Sequence, residues 1–307
     1  MSWKATAVMQ RWKLIAFAVF LIVDLLLVGY VIQQYRADQV PTASDGPKPS
    51  GGDVETLGGP ATGDLRADAK GGNAVVRWRM GSCASPGRPL LEVSVNGGRS
   101  FEERAVPVLE ASNDTDPGSR AKPVRTILAV EPESADKLRV VAGDEDCRAV
   151  LYTTENGGDS WNRQVSLDAW YVDATSEAVF SPTGTSKSGC TITSLSPISD
   201  TEAVMTCSGG LILSTIDAGE AWTQSGDLNR DVEAAVFVSR RTGFAIAKDT
   251  QCARTFMTTD GGVTWVPAGC VDNMEVAALT GTANWLVALD RTTVRVSTDQ
   301  GKTWIDP

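Results

Sequence analysis

The apolar positions of this chain change period twice. Leu14 to Ile32 reads LIAFAVFLIVDLLLVGYVI, a run of 19 residues broken only by Asp24 and Gly29. About 20 such residues are needed for an α-helix to cross a bilayer, so the run predicts one transmembrane span. From Ala37 to Asn73 large apolar residues almost vanish and Pro, Gly, Ala, Ser and Asp take over. A stretch of that kind cannot bury enough surface to offset chain entropy. It reads as a flexible tether with a span on the order of 30 Å. Beyond it the apolar residues fall in short segments bounded by turn residues, which predicts β-strands. Around Thr258 the expected strands are Glu233–Ser239, Thr242–Lys248, Arg254–Thr259 and Thr264–Pro267.

One turn recurs five times between these strands: SVNGGRSF at Ser94–Phe101, TENGGDSW at Thr154–Trp161, TIDAGEAW at Thr215–Trp222, TTDGGVTW at Thr258–Trp265 and STDQGKTW at Ser297–Trp304. All fit Ser/Thr-x-Asp/Asn-x-Gly-x-x-Trp/Phe. The third position is Asn96, Asn156, Asp217, Asp260 or Asp299. A short side-chain oxygen there accepts bonds from amides of its own turn. Two residues on, glycine permits the positive φ that a tight hairpin demands. The closing aromatic begins the next strand and can pack between neighbouring sheets.

This pattern resembles the Asp-box, or BNR, repeat of sialidases, sortilin-type receptors and photosystem assembly-factor-like propellers. AAVFVSRRTGFAIAKDTQCARTFMTTDGGVTW most resembles a blade of the assembly-factor-like group. The resemblance covers residues from about Asn73 onward and implies an all-β propeller of four-stranded antiparallel blades. The box would join the third and fourth strands of each blade. Five boxes predict five blades, and a sixth without a box has room in Asp168–Ser188. Box starts are spaced by 60, 61, 43 and 39 residues, so insertions are expected at Glu110–Arg120 and within Ser166–Gly189. A strand near Asn73–Arg79 is expected to complete ring closure with the last blade. The resemblance also implies that the boxes are structural turns away from the binding face.

The expected organisation is therefore a cytoplasmic N-terminus at 1–13, a signal anchor at 14–32, a linker at 37–73 and an extracytoplasmic propeller at 74–307. Lys4, Arg11 and Lys13 precede the apolar run, and only Arg36 and Asp38 follow closely, which orients the N-terminus inward. No small-residue cleavage site follows, since the next residues are QQYRADQ. A central acid in such a helix costs roughly 2.5–3.5 kcal/mol. Asp24 is thus either a polar contact to a membrane partner or a tolerated acid.

Charge and composition narrow the chemistry. The net charge is −10, and removing Met1–Arg36, with four bases and one acid, leaves −13 on the remainder. That sign disfavours nucleic acid as a partner. There is no histidine, which excludes Ser-His-Asp and Cys-His catalysis and histidine-ligated metal. No cofactor and no metal are expected.

The six cysteines, Cys83, Cys147, Cys190, Cys207, Cys252 and Cys270, include no C-x-x-C pair and all follow the apolar run. Three disulfides formed in an oxidising compartment fit this spacing. Six cysteines allow about 15 connectivities. The simplest is Cys83–Cys147, Cys190–Cys207 and Cys252–Cys270. With boxes between the third and fourth strands, all six thiols map to connections on the opposite face.

Arg88, Arg148 and Arg291 each lie six residues before a box, at the start of a third strand on that same face. Cys252 holds the corresponding place in the fourth repeat, with Arg254 close by. These arginines are the candidate ligand donors, with solvated strand ends as the plain alternative. The expected function is a non-catalytic binding or assembly module. Its partners would be an integral membrane complex or an envelope glycolipid or glycan. A cell-wall carbohydrate-binding module and a sialidase-like hydrolase are the alternatives. By resemblance the hydrolase would need an arginine triad, an acidic Asp and a Tyr backed by Glu. Only Tyr152 and Tyr171 follow Tyr35, and no Phe/Tyr-Arg-Ile-Pro motif precedes the first box.

Overall fold

The computed structural model describes residues 65–69, 74–79, 88–109, 122–144, 146, 148–173, 178–272 and 274–307. The expected span at 14–32, with Asp24, lies outside them, as do Cys83, Cys147 and the expected insertion Glu110–Arg120. Among the described residues no helix is long and apolar enough to cross a membrane.

Antiparallel sheets of consecutive strands form six blades of a β-propeller. Blade I holds Leu65–Ala69, Val75–Arg79, Leu91–Ser94 and Glu102–Glu103. Blade II holds Thr126–Pro132, Leu138–Gly143, Ala149–Thr154 and Asn162–Arg163. Blade III has three strands, Tyr171–Asp173, Ala178–Ser181 and Gly184–Lys187. Blade IV holds Ile192–Pro197, Ala203–Cys207, Leu211–Thr215 and Thr223–Asp227, and blade V Val232–Phe237, Gly243–Lys248, Ala253–Thr258 and Val266–Val271. Blade VI holds Ala278–Thr282, Trp285–Leu289 and Val294–Ser297, and Ile305 bridges to Val296 as its outer edge. Strands are called A to D in this order within each blade.

Two expectations need correction. The ring has six blades rather than five: the sixth without a box, for which Asp168–Ser188 had room, is blade III, so Ser166–Gly189 is not an insertion. The segment Asn73–Arg79 does not close the ring with the last blade. Val75–Arg79 is strand B of blade I, paired with Leu91–Ser94. The strand beside the last blade is Leu65–Ala69, five residues of the expected tether. Its sequence, LRADA, carries one large apolar side chain, so composition hides it. Its burial comes from neighbours instead: Ala69 and Val75 join Ala278, Val287, Leu289 and Val296 in one apolar cluster across the seam.

Strand B shows why the sheets stack radially. Phe244, Ala245, Ile246 and Ala247 are all fully buried, as are Leu286 to Leu289. Both faces of such a strand are covered by other side chains, so its pattern is continuous rather than alternating. Burying one such side chain contributes roughly 1.5–3 kcal/mol.

The five repeat turns share one hydrogen-bond pattern. In Thr258–Trp265 the Thr258 hydroxyl donates to Asp260 Oδ1 at 2.8 Å and accepts from the Gly262 amide at 3.0 Å. Asp260 Oδ1 also accepts from the Thr264 amide at 2.9 Å. Asn96 and Asn156 reproduce the acceptor role, each taking the amide four residues on at 3.0 Å. Asp260 and Asp299 are held well below the usual carboxylate range, at about 2, chiefly by bonds from Thr264 and Thr303 respectively. The fourth and fifth positions of each turn have positive φ, which includes the non-glycine residues Ala218 at 56° and Gln300 at 65°. Gly301 has a second constraint: a side chain there would strike Thr255 of the preceding blade.

The closing aromatics grip that preceding blade. Trp304 Nε1 donates to Thr255 Oγ1 at 3.0 Å, and Trp222 Nε1 to Ser186 Oγ at 2.9 Å. Thr255 stands three residues before its box, where blade IV has Ile212. Trp265 consequently has a buried Nε1 with no acceptor among the described residues, and packs edge-on against Phe237 at 6.0 Å.

Candidate functional site

The B–C and D–A connections lie at the ends of the strands opposite the repeat turns, and two disulfides tie them. Cys190, just before strand A of blade IV, is bonded to Cys207 at the end of strand B. Cys252, in the B–C turn of blade V, is bonded to Cys270. Both match the simplest pairing, although Cys270 lies inside strand D rather than after it.

The candidate arginines lie at the starts of the C strands, each in a different blade. Arg88 pairs with Glu103 at 2.6 Å and Arg148 with Asp146 at 3.5 Å, both guanidiniums remaining exposed. Arg291 follows Asp290, whose carboxylate caps the turn by accepting the Thr292 and Thr293 amides at 2.6 Å each. Only Arg254 lines a cleft. Its Nε donates to Asp249 Oδ2 at 2.7 Å, and this bond is the chief reason that Asp249 is held below the usual carboxylate range.

The cleft encloses about 490 Å³ between blades IV and V. One wall is Asp227, Leu228 and Arg230 from the D–A connection of blade IV. Asn229, in that connection, takes a positive φ of 52°, and its amide donates to Asp227 Oδ1 at 2.6 Å. The Arg230 guanidinium lies 5.2 Å over the buried ring of Phe256. The opposite wall is Val263, Trp265 and Pro267, which run from a repeat turn into strand D. A repeat turn therefore borders this cleft, because the outer part of blade V leans onto blade IV. Sequence reasoning singled out Arg254 and missed Arg230, whose only local signal is the Asp-Leu-Asn-Arg turn preceding it.

A second group, also missed, lies near the inner strand of blade V. The Glu233 carboxyl is pushed up by burial, an effect opposed by Lys248 at 3.4 Å. Lys248 also reaches Glu275 at 3.4 Å, so one ammonium serves two acids. The two tyrosines of the hydrolase alternative are packing residues. Tyr152 sits in the core of blades I and II, and Tyr171 stacks on Phe180 at 4.4 Å. Among the described residues no group of three or more Cys, Asp or Glu side chains could hold a metal ion.

No family model and no curated protein matches this chain. Solved structures do. YCF48 from Cyanidioschyzon merolae is similar at 15% identity and a TM-score of 0.43, over 76% of this chain and 81% of that one. A nidogen/laminin complex is similar at 11% identity and 0.46, over 76% and 89%. The GH74 xyloglucanase from Xanthomonas campestris is similar at 14% and 0.41, over 78% of this chain but 45% of the enzyme. At these values the fold rests on the strand pairing of the chain itself.

Proposed function

We propose that this chain is a non-catalytic binding or assembly propeller of the Asp-box kind. Residues 14–32 anchor it, the propeller is displayed outside the cytoplasm, and a protein partner docks on the B–C and D–A connections. The observation that carries this reading is that Cys190–Cys207 and Cys252–Cys270 each tie one of those connections to the end of a neighbouring strand. Disulfides persist in oxidising compartments. Loops that are already tied lose less freedom when a partner docks, and loops on a rigid scaffold are where binding concentrates.

The test is crosslinking in intact membranes followed by identification of the crosslinked peptides. The expected product joins a membrane protein to peptides of the B–C or D–A connections. Crosslinks confined to the repeat turns would place the partner on the wrong face. Recovery of glycan or glycolipid alone would replace the protein partner. Full protection of the propeller from protease added outside spheroplasts would overturn its placement. Hydrolysis of a sialoside, abolished by Tyr171→Phe, would overturn the non-catalytic reading.

A further inference from the structure

We propose that the cleft between blades IV and V is the specificity pocket of this binding surface, and that it takes a peptide carboxylate next to an apolar side chain. The inference rests on the binding reading above and narrows it to one place and one chemistry.

The hydrogen-bonding capacity left over in the cleft is mostly donor capacity. Arg254 uses Nε on Asp249, and its terminal nitrogens make no hydrogen bond or ion pair among the described residues. Arg230 is exposed and has no ion pair among the described residues; its guanidinium lies over the face of Phe256, and its charge adds to that of Arg254 in favouring the Asp249 carboxylate. The acids are largely committed. Asp249 accepts Arg254, the Thr250 amide at 2.7 Å and the Thr250 hydroxyl at 3.4 Å. Asp227 Oδ1 takes the Asn229 amide. Two guanidiniums with free forks favour a planar anionic acceptor, which a carboxylate supplies.

The rest of the blade V lining, where Pro267 is the register partner of Phe256 on the sheet that carries Arg254, is of a different kind. Val263, Trp265 and Pro267 are alternate residues. Val263 is 65% exposed although it is branched and apolar. A ligand that satisfies both walls carries its acid and its apolar group close together, as an Asp or Glu beside a Leu does, or as a C-terminal apolar residue does. The Cys252–Cys270 bond holds the pocket's geometry. It joins the turn that carries Asp249 to the strand facing Arg254, where Arg254 and Cys270 are register partners.

The experiment uses the full chain in detergent and three fluorescent pentapeptides, with binding read by anisotropy. One has an Asp between two Leu residues and an amidated end. The second has Asn in place of Asp and a free terminal carboxylate after Leu. The third has neither acid. At least one of the first two should bind, and which one does identifies the source of the carboxylate; the third should not. Arg230→Gln should weaken the bound peptide at least tenfold, and so should Val263→Asp. Both positions are exposed, so melting temperatures should stay near wild type. The change Lys302→Gln, at an exposed position in the repeat turn of blade VI, should leave this binding unchanged. Equal binding of all three peptides, no binding of any, or binding that survives both cleft variants would overturn the proposal. Each of those results can coexist with crosslinked partner peptides on the B–C and D–A connections, so the cleft can fail while the wider binding reading stands.

Discussion

Blade V has four strands, a repeat turn and its own disulfide, whereas blade III has three strands and none of the five repeat turns. Both nonetheless pack into the same ring. Blade III makes its B–C hairpin from Ser181, whose hydroxyl accepts the Gly184 amide and donates to the Gly184 carbonyl, both at 3.2 Å. It grips blade IV twice: Trp170 Nε1 reaches the Ser199 carbonyl at 2.9 Å, and Ser186 accepts the Nε1 of Trp222. The difference separates two jobs. Packing into the ring requires the three inner strands; blades III and V add an acceptor for the next blade's tryptophan, which blade IV packs without. The repeat turn is needed where a fourth strand must fold back along the outer edge.

The largest effects should fall on the shared job. Phe244→Ala empties a fully buried site in blade V and should cost about 3–5 kcal/mol. Phe180→Ala in blade III removes a half-buried ring and should cost less, about 1–2 kcal/mol. Denaturant unfolding of the two variants measures the contrast, and equal losses would remove it. Replacing Cys252 and Cys270 together by Ser releases a tied loop of blade V, with an expected loss of about 2–4 kcal/mol by the same measurement.

The acceptor is tested next. Thr255→Val leaves the Trp304 Nε1 buried without a partner and should cost about 1–3 kcal/mol. Ile212→Thr supplies the missing acceptor to Trp265 while removing apolar bulk, so it should stay within about 1 kcal/mol of wild type. If Thr255→Val is as mild as Ile212→Thr, the tryptophan grip is packing alone.

Acid titration isolates the turns. Asp260 and Asp299, at about 2, sit below the roughly 3.9 of an unfolded aspartate. Their contribution is fully present above about pH 4 and is lost as pH falls toward 2. The variant Asp260→Asn, Asp299→Asn should reduce the fall in melting temperature across that window, leaving the part due to Asp217 and Asp249, which are also held low. Asn96 and Asn156 carry no charge, so these two turn positions of blades I and II contribute nothing to it. The smallest effect is expected at Ala218→Gly and Gln300→Gly. Relief of a left-handed conformation, at about 1–2 kcal/mol, is partly offset by glycine's entropy. A gain of up to about 1 kcal/mol per site should appear as a higher melting temperature.

The turns were legible because their chemistry is complete within eight residues, from the Thr258 hydroxyl to Trp265. Two strands before the turn followed closely, the expected Thr242–Lys248 being Gly243–Lys248 and Arg254–Thr259 being Ala253–Thr258, but the expected Thr264–Pro267 is Val266–Val271 and shares only two residues with it. Blade III was harder to see because its strands have three or four residues and its hairpin uses one serine. Strand Leu65–Ala69 was hidden because its partners lie at the other end of the sequence, where Thr280 Oγ1 comes to 3.5 Å from Asp68 Oδ1. The cleft was only partly legible for the same reason. Arg254 stood out by lying close to Cys252, which holds the place six residues before a box, but Arg230 matters only because blade V leans onto blade IV and brings Val263 opposite.

The seam between blades I and VI has a mechanical consequence. Among the described residues each blade is built from consecutive strands, and the first and last blades meet by side-chain packing with no strand exchanged between them. The chain enters at Leu65 on the strand nearest the axis and passes its last bridge at Ile305 on an outer edge. A pull applied at Leu65 is therefore delivered to the inside of the ring, at the seam. The first strand would peel away from Ala278–Thr282 before any sheet of blades II to V bears load. In a propeller held by its N-terminal side, that seam is the fuse.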